Sequence, residues 1–327
     1  MDVLSEVLRT IRLTGAVYFD VRLKASWATE TPDIETICSK VMPEFEHVIA
    51  FHIMLEGACW AQLGNESAPP VRLEAGDVVL FPQGDSHFLA SEAGKRSKPD
   101  LSLYYRPTDH PLPFTVNETE GSGEEARFTC GYLGCDARPF NPILNALPAM
   151  VHVDNSAAGS NIAVDLIHMA LKESSSHRAG GETVLAKLSE LMFVEALRRY
   201  LDGLPQDSEG WLSGLRDEHI GKALSLVHGQ PAKNWTLNQL ASAVGLSRTI
   251  FAERFQHYVQ ESPIRYLGRL RMQLALLALA SPEKSIAQAA AQVGYQSEAA
   301  FNRAFKKHMG VPPGRWRREY TEKTRGE

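Results

Sequence analysis

Cysteine is scarce in this chain, with four in 327 residues. That density excludes a disulfide-stapled scaffold and fits a reducing compartment, with the thiols free, metal-bound or redox-active. Long apolar runs are missing too. None approaches the ~18 residues that span a bilayer, so no membrane partner is expected. The opening Met1-Asp-Val-Leu-Ser-Glu-Val-Leu-Arg9 is amphipathic and acidic. It lacks the basic stretch and apolar core of a signal peptide, which points to a cytoplasmic protein. Acidic residues run short only in the last third. From Arg216 onward 17 Lys and Arg face 9 Asp and Glu, whereas residues 1–215 hold 17 and 30. A basic tail on an acidic body fits a nucleic-acid partner for the tail alone. A chance split of surface charge is the plainer alternative.

What is present most distinctively is a repeated helical phrase. Leu237-Asn-Gln-Leu-Ala-Ser-Ala-Val-Gly-Leu-Ser-Arg-Thr-Ile-Phe-Ala-Glu-Arg-Phe255 returns, about fifty positions on, as Ile286-Ala-Gln-Ala-Ala-Ala-Gln-Val-Gly-Tyr-Gln-Ser-Glu-Ala-Ala-Phe-Asn-Arg-Ala-Phe305. Each copy has a short apolar helix, Val-Gly, a hydroxyl residue, and a second helix with Phe-x-x-x-Phe. This is the pattern of a helix-turn-helix, whose second helix enters the DNA major groove. Thr236, Ser247 and Ser297 are the expected N-caps, and Gly245 and Gly294 the turns. Phe251, Phe255, Phe301 and Phe305 should face inward. The outward DNA-contact candidates are Ser247, Arg248, Thr249 and Arg254 in the first copy. In the second they are Ser297, Glu298, Asn302, Arg303 and Lys306. Residues 260–280 read as a connecting helix, from the 3–4 spacing of Leu267, Leu270, Leu274 and Leu277. The plainer alternative is a pair of ordinary three-helix packing units.

The first half reads differently. Val48–Leu55 and Val78–Phe81 are short β-rich runs, bounded by turn signals at Gly57, Gly64-Asn65, Pro69-Pro70, Gly76-Asp77 and Gly84-Asp85. Such spacing suggests an antiparallel sandwich or barrel. After Cys130 the pattern turns helical, with Asn161–Ser174 and Gly181–Leu201 as two helices able to pack on a second subunit. The organisation read from the sequence is α+β in two domains. Residues 1–202 form a cupin-like antiparallel β-barrel with a helical dimerisation segment, 203–215 a linker, and 216–327 an all-α domain with two helix-turn-helix units.

Residues 219–320 resemble the DNA-binding domain of AraC-type transcriptional regulators. The resemblance rests on Leu240-Ala241, Val244-Gly245, Ser247, Phe251, Phe255, Ser262-Pro263, Val293-Gly294-Tyr295, Ser297, Phe301, Phe305, Lys306 and Gly310-Val-Pro-Pro-Gly314. It implies two units joined by a linking helix and bound to successive major grooves of double-stranded DNA. Ala299 departs from the bulkier or polar residue more usual there. Gly76-Asp-Val-Val-Leu-Phe-Pro-Gln-Gly-Asp-Ser-His87 resembles the second motif of cupins. Phe51-His52, Glu56-Gly57 and Cys130-Gly-Tyr-Leu-Gly-Cys135 extend the likeness to the sensor domain of one AraC-type subgroup. That resemblance implies a sensor and dimerisation domain, so a homodimer is expected whose N-terminal barrel senses a small molecule, metal or redox signal, with the effector unknown and RNA polymerase as a further partner.

The His-x-His pair of metal-dependent cupin enzymes is missing, which argues against a catalytic site. A metal-dependent cupin enzyme fused to a DNA-binding domain is the alternative function. His52, His87, Cys130 and Cys135 make one candidate set, since two thiolates and two imidazoles suit tetrahedral zinc. Cys130 and Cys135 could instead form a reversible disulfide. The third reading is of buried, inert thiols and hydrogen-bonded histidines.

Overall fold

The computed structural model describes residues 2–24, 26–104, 112–118, 124–137, 139–154, 165–166, 169–170, 172–173, 178–205 and 208–325. Its strands are β1 (Thr14–Lys24), β2 (Ala28–Thr31), β3 (His47–Glu56), β4 (Ala58–Leu63), β5 (Val71–Glu74), β6 (Val78–Phe81), β7 (His87–Ala90), β8 (Phe114–Glu118), β9 (Glu125–Cys135) and β10 (Val151–Val153). Its helices are α1 (Val3–Thr10), α2 (Ile34–Val41), α3 (Pro142–Ala146), α4 (Gly181–Gly203), α5 (Trp211–Arg216), α6 (Glu218–Gly229), α7 (Leu237–Ala243), α8 (Arg248–Val259), α9 (Pro263–Ala280), α10 (Ile286–Gln292), α11 (Glu298–Met309) and α12 (Pro313–Arg325). The helix expected over 161–174 lies mostly outside the described residues. No helix among them is long and apolar enough to cross a membrane.

The chain divides into two compact units. One comprises Arg12–Asp136 and Leu147–Gly203; the other gathers Met1–Ile11, Ala137–Ala146 and Leu204–Glu327. The first is β-rich. Six strands run in the order β10-β6-β3-β9-β1-β8 and four in the order β2-β7-β4-β5. Their ladders are antiparallel apart from β1 with β8. Among the described residues these ladders leave two sheets rather than one closed barrel.

Strand parity decides where each side chain goes. Val48, Ala50 and Met54 of β3, Phe128, Cys130 and Tyr132 of β9, and Val79 and Phe81 of β6 share one cluster with Cys59, Ala61, Leu63 and Leu89 of the smaller sheet. The alternate residues Ile49, Phe51 and Leu133 are also buried, so β3 and β9 read as continuous apolar runs.

The second unit is helical and is organised around α9. Ser262 precedes this helix and Pro263 opens it, where a missing N–H costs nothing. The sequence pattern suggests a single leucine stripe. The structure instead buries Tyr266, Leu267, Leu270, Met272, Gln273, Ala275, Leu276, Ala278 and Leu279, because neighbours pack on several faces. One face meets the second helical repeat through Ala289, Ala290, Val293, Phe301 and Phe305. Elsewhere the buried Gln273 donates from Nε2 to the Thr10 carbonyl at 3.1 Å. The segment between β9 and β10 also belongs here: Phe140 is buried, edge-on to Tyr266 at 5.1 Å.

Candidate nucleic-acid interface and buried histidine pair

The two helix-turn-helix copies share one plan, with one more residue between the turn glycine and the cap in the second, Gly294 to Ser297, than in the first, Gly245 to Ser247. In the first, Thr236 Oγ1 accepts from Gln239 N at 3.2 Å while Gln239 Oε1 accepts from Thr236 N at 2.9 Å. In the second, Ser285 and Gln288 make the same reciprocal pair at 3.1 and 2.8 Å. These capping boxes satisfy two orphan N–H groups at each helix start. The turns fall at Gly245 and Gly294, with φ of 77° and 85°. Ser247 then accepts from Ile250 N at 3.3 Å, and Ser297 from Ala300 N at 3.2 Å. Each reading helix is twelve residues long. Phe251, Phe255, Phe301 and Phe305 are fully buried.

That packing fixes which side chains face out. Ser247, Arg248, Thr249, Ser297, Glu298, Arg303 and Lys306 are exposed, and Asn302 is half-buried. Arg254, taken from the sequence as a contact, has another task. Its Nε lies 3.0 Å from Asp217 Oδ2. Asp217 in turn caps α6, accepting from Ile220 N at 2.9 Å and His219 N at 3.1 Å. Burial alone would raise the Asp217 carboxyl. The Arg254 guanidinium and the two N–H groups more than offset that and hold it below its ordinary value. The guanidinium is thus committed within the protein. Sequence spacing gave no sign of this pair, because its partners lie 37 positions apart. Ile250, more than half exposed at the start of α8, is an outward residue the pattern missed.

In the β unit the inward parity of β3, β7 and β9 brings together His52, His87 and Cys130. His52 Nε2 lies 2.7 Å from His87 Nε2, and His52 Nδ1 lies 2.8 Å from Cys130 Sγ. His87 Nδ1 lies 2.8 Å from the Asp85 carbonyl oxygen, and Phe81 stacks on His87 at 3.6 Å. One assignment of protons satisfies the whole chain. The Asp85 carbonyl can only accept, so His87 Nδ1–H donates to it. His87 Nε2 therefore accepts from His52 Nε2–H, and His52 Nδ1 accepts from the Cys130 thiol. Burial favours these neutral forms. It lowers His52 well below the ordinary imidazole range, with His87 opposite adding to the effect, and brings His87 to about 4 against a pull upward from Asp85. It raises the Cys130 thiol, with Cys59 and Asp20 adding to that.

The zinc set read from the sequence is corrected here. His87 and Cys130 meet opposite nitrogens of the His52 ring, whose lone pairs diverge, so one ion cannot take all three ligands at about 2.0–2.3 Å. Among the described residues no group of three or more metal-binding side chains converges. Cys135 does not join them either. It lies five residues along the same strand, with opposite parity, roughly 16 Å away at ~3.3 Å per residue. A disulfide needs Cα atoms within about 7 Å, so the Cys130–Cys135 switch is also excluded in this strand. What remains is the hydrogen-bonded, buried arrangement.

Comparison with known proteins agrees with this layout. A cupin family profile matches residues 2–202, and a helix-turn-helix domain profile matches residues 240–319. The chain is 29% identical to the HTH-type transcriptional regulator AlkR of Acinetobacter baylyi, over 98% of this chain and 100% of that one. It is similar to the solved structure of unsaturated fatty acid-bound ToxT from Vibrio cholerae, at 14% identity and a TM-score of 0.34, covering 93% of this chain and 94% of that one. The DNA-binding domain of AdpA, solved with a target DNA, covers 33% of this chain and 96% of its own length, at 20% identity and a TM-score of 0.32. With a cupin domain leading into two DNA-reading units, the chain belongs to the AraC-type transcriptional regulators.

Proposed function

We propose that this protein is a cytoplasmic, homodimeric regulator that binds a two-part operator and changes its DNA engagement when the β unit meets a small-molecule effector. The carrying observation is the shared plan of the two reading helices, each twelve residues long, serine-capped and packed through two buried phenylalanines at the same positions, while their outward residues differ. DNA binding itself follows from the family. The contact set we assign is Ser247, Arg248, Thr249, Ser297, Glu298, Asn302, Arg303 and Lys306. Dimerisation through α4 is supported by Val184 and Leu191, which are 43% and 54% exposed on a helix that buries Leu185, Leu188, Met192, Phe193, Ala196 and Leu197. RNA polymerase is the partner through which a bound regulator of this kind would act.

The test is to map the genomic DNA occupied by the full-length protein, then measure affinity for one such fragment against salt. A steep negative slope of log affinity on log salt, with tighter binding than to a scrambled fragment, is expected. Equal affinity for both fragments would remove the sequence-specific reading. Sedimentation of the protein alone tests the dimer: a monomer at micromolar concentration would refute it.

A further inference from the structure

The equivalence of the two reading helices allows their outward residues to be compared place by place. Counting from each N-cap, Ser247 or Ser297, the first helical position holds Arg248 in α8 and Glu298 in α11. The sixth holds Glu253 in α8 and Arg303 in α11. At both positions the charge is exchanged between the units. All four side chains are exposed. None of the four side chains makes a hydrogen bond or ion pair among the described residues, whereas the neighbouring Arg254 is tied to Asp217. Positions one and six are too far round the helix to pair with each other, which leaves both charges open to a partner.

Helix electrostatics separate these residues further. The N-terminal end of a helix carries partial positive charge, so Glu298 at the first position is favourable and Arg248 is not. Arg248 thus works against local stability at the place from which a recognition helix reaches base edges. Arginine pairs bidentately with guanine O6 and N7. A carboxylate meets those acceptors with repulsion and accepts instead from cytosine N4.

We propose that Arg248 and Arg303 are the guanine-reading residues of the two units, and that Glu253 and Glu298, in the exchanged places, refuse guanine and favour cytosine. The second subsite of the operator then carries the inverse of the first at two base steps. Positions one and six lie roughly 7.5 Å apart along a helix axis at 1.5 Å per residue. That is about two base-pair steps of ~3.4 Å. The two guanines therefore do not repeat at one helical turn of DNA but are offset from it by about two base pairs. Lys306 and Lys307, where α8 has Gln256 and His257, add phosphate-binding charge to the second unit alone.

The test is selection from a pool of randomised duplexes by the full-length protein, followed by competition binding. Wild type should enrich a guanine in each subsite with the stated offset. Arg248→Ala should erase guanine preference in the first subsite only and weaken binding to the selected operator about 10- to 100-fold. Arg303→Ala should do the same in the second. The double variant R248E/E253R should give the first subsite the pattern of the second, turning the operator into a direct repeat. The proposal is overturned if Arg248→Ala weakens all sequences equally and lowers the salt slope by about one, which marks a phosphate contact. It is also overturned if R248E/E253R keeps the wild-type pattern while its circular dichroism is unchanged. A wild-type protein that enriches no sequence would overturn the operator reading along with it.

Discussion

Arg254 grips Asp217 through Nε and Nη2, with Nε 3.0 Å from one carboxylate oxygen and 3.2 Å from the other. The pair joins the middle of the first reading helix to the cap of α6. Replacing Arg254 by Ala should cost about 1 kcal/mol, a modest figure because the guanidinium is 43% exposed and screened. Asp217→Ala should cost more, about 2 kcal/mol, since it also removes the cap. Thermal melting checks both. An Arg254→Ala protein with an unchanged melting temperature and weakened operator binding would return Arg254 to the DNA-contact set.

That pair shows where sequence reading stops. The caps, turns and inward phenylalanines were legible because each is a local rule, spelled within a few residues of the chain. Strand parity was legible in principle too. Cys130 and Cys135 differ by an odd number, so a continuous strand must send them to opposite faces; the Cys-x4-Cys spacing suggests a pair only while the pattern after Cys130 is read as helical rather than as the end of a strand. Contacts such as Arg254 with Asp217 or Phe140 with Tyr266 span tens of residues and have no periodic signature. His52 and His87 were rightly suspected of meeting, but which ring nitrogen faced which partner was not readable, and that detail decides against a metal.

The two turn glycines should not tolerate alanine equally. Both hold positive φ, which costs an alanine roughly 1–2 kcal/mol. At Gly245 an added Cβ meets nothing within 4 Å. At Gly294 it would sit 2.3 Å from the Ala232 carbonyl oxygen and 2.8 Å from that residue's Cα. Backbone cannot step aside as a flexible side chain can. Gly294→Ala should therefore lose about 3 kcal/mol or more in denaturant unfolding, and Gly245→Ala about 1 kcal/mol. Equal losses would show that the second turn relaxes freely.

Cys130 should behave as an inert thiol. It is buried, raised in pKa, and donates to His52. Titration of the native protein with a bulky thiol reagent should modify the partly exposed Cys38 first and leave Cys130 until unfolding. Mass spectrometry of oxidised protein should find no peptide linking Cys130 to Cys135. Recovery of that peptide from natively folded protein would show that β9 opens under oxidation.

His228 makes stability of the helical unit depend on pH. Its Nε2 accepts from the Tyr266 hydroxyl at 2.8 Å, and that hydroxyl accepts from Trp211 Nε1–H at 2.9 Å. Burial lowers His228 from 6.5 to about 4. The unfolded chain therefore takes up a proton at higher pH than the folded one. The contribution is fully present above about pH 6.5 and lost as pH falls towards 4, to an extent of about 3 kcal/mol. His228→Gln should flatten the decline of melting temperature across that window. A slope identical to wild type would exclude His228 as its source.

Phe140 packs far from where it is encoded. It is encoded between β9 and β10, yet it packs in the helical unit against Tyr266 and His228, with the Arg269 guanidinium 6.0 Å from its ring centroid. Arg269 Nε also donates to the Pro139 carbonyl at 2.9 Å, so the segment is held by its backbone as well. Phe140 is only 1% exposed, and removing so buried an aromatic ring typically costs about 3–5 kcal/mol. Phe140→Ala should lower the unfolding transition of the helical unit, whereas Phe128→Ala, inside the β unit, should lower that of the sheets. Hydrogen exchange read peptide by peptide separates the two: protection should fall across α5, α6 and α9 in the first variant and across β3 and β9 in the second. Loss of protection confined to the strands in Phe140→Ala would mean that the segment belongs energetically to the sheets it connects.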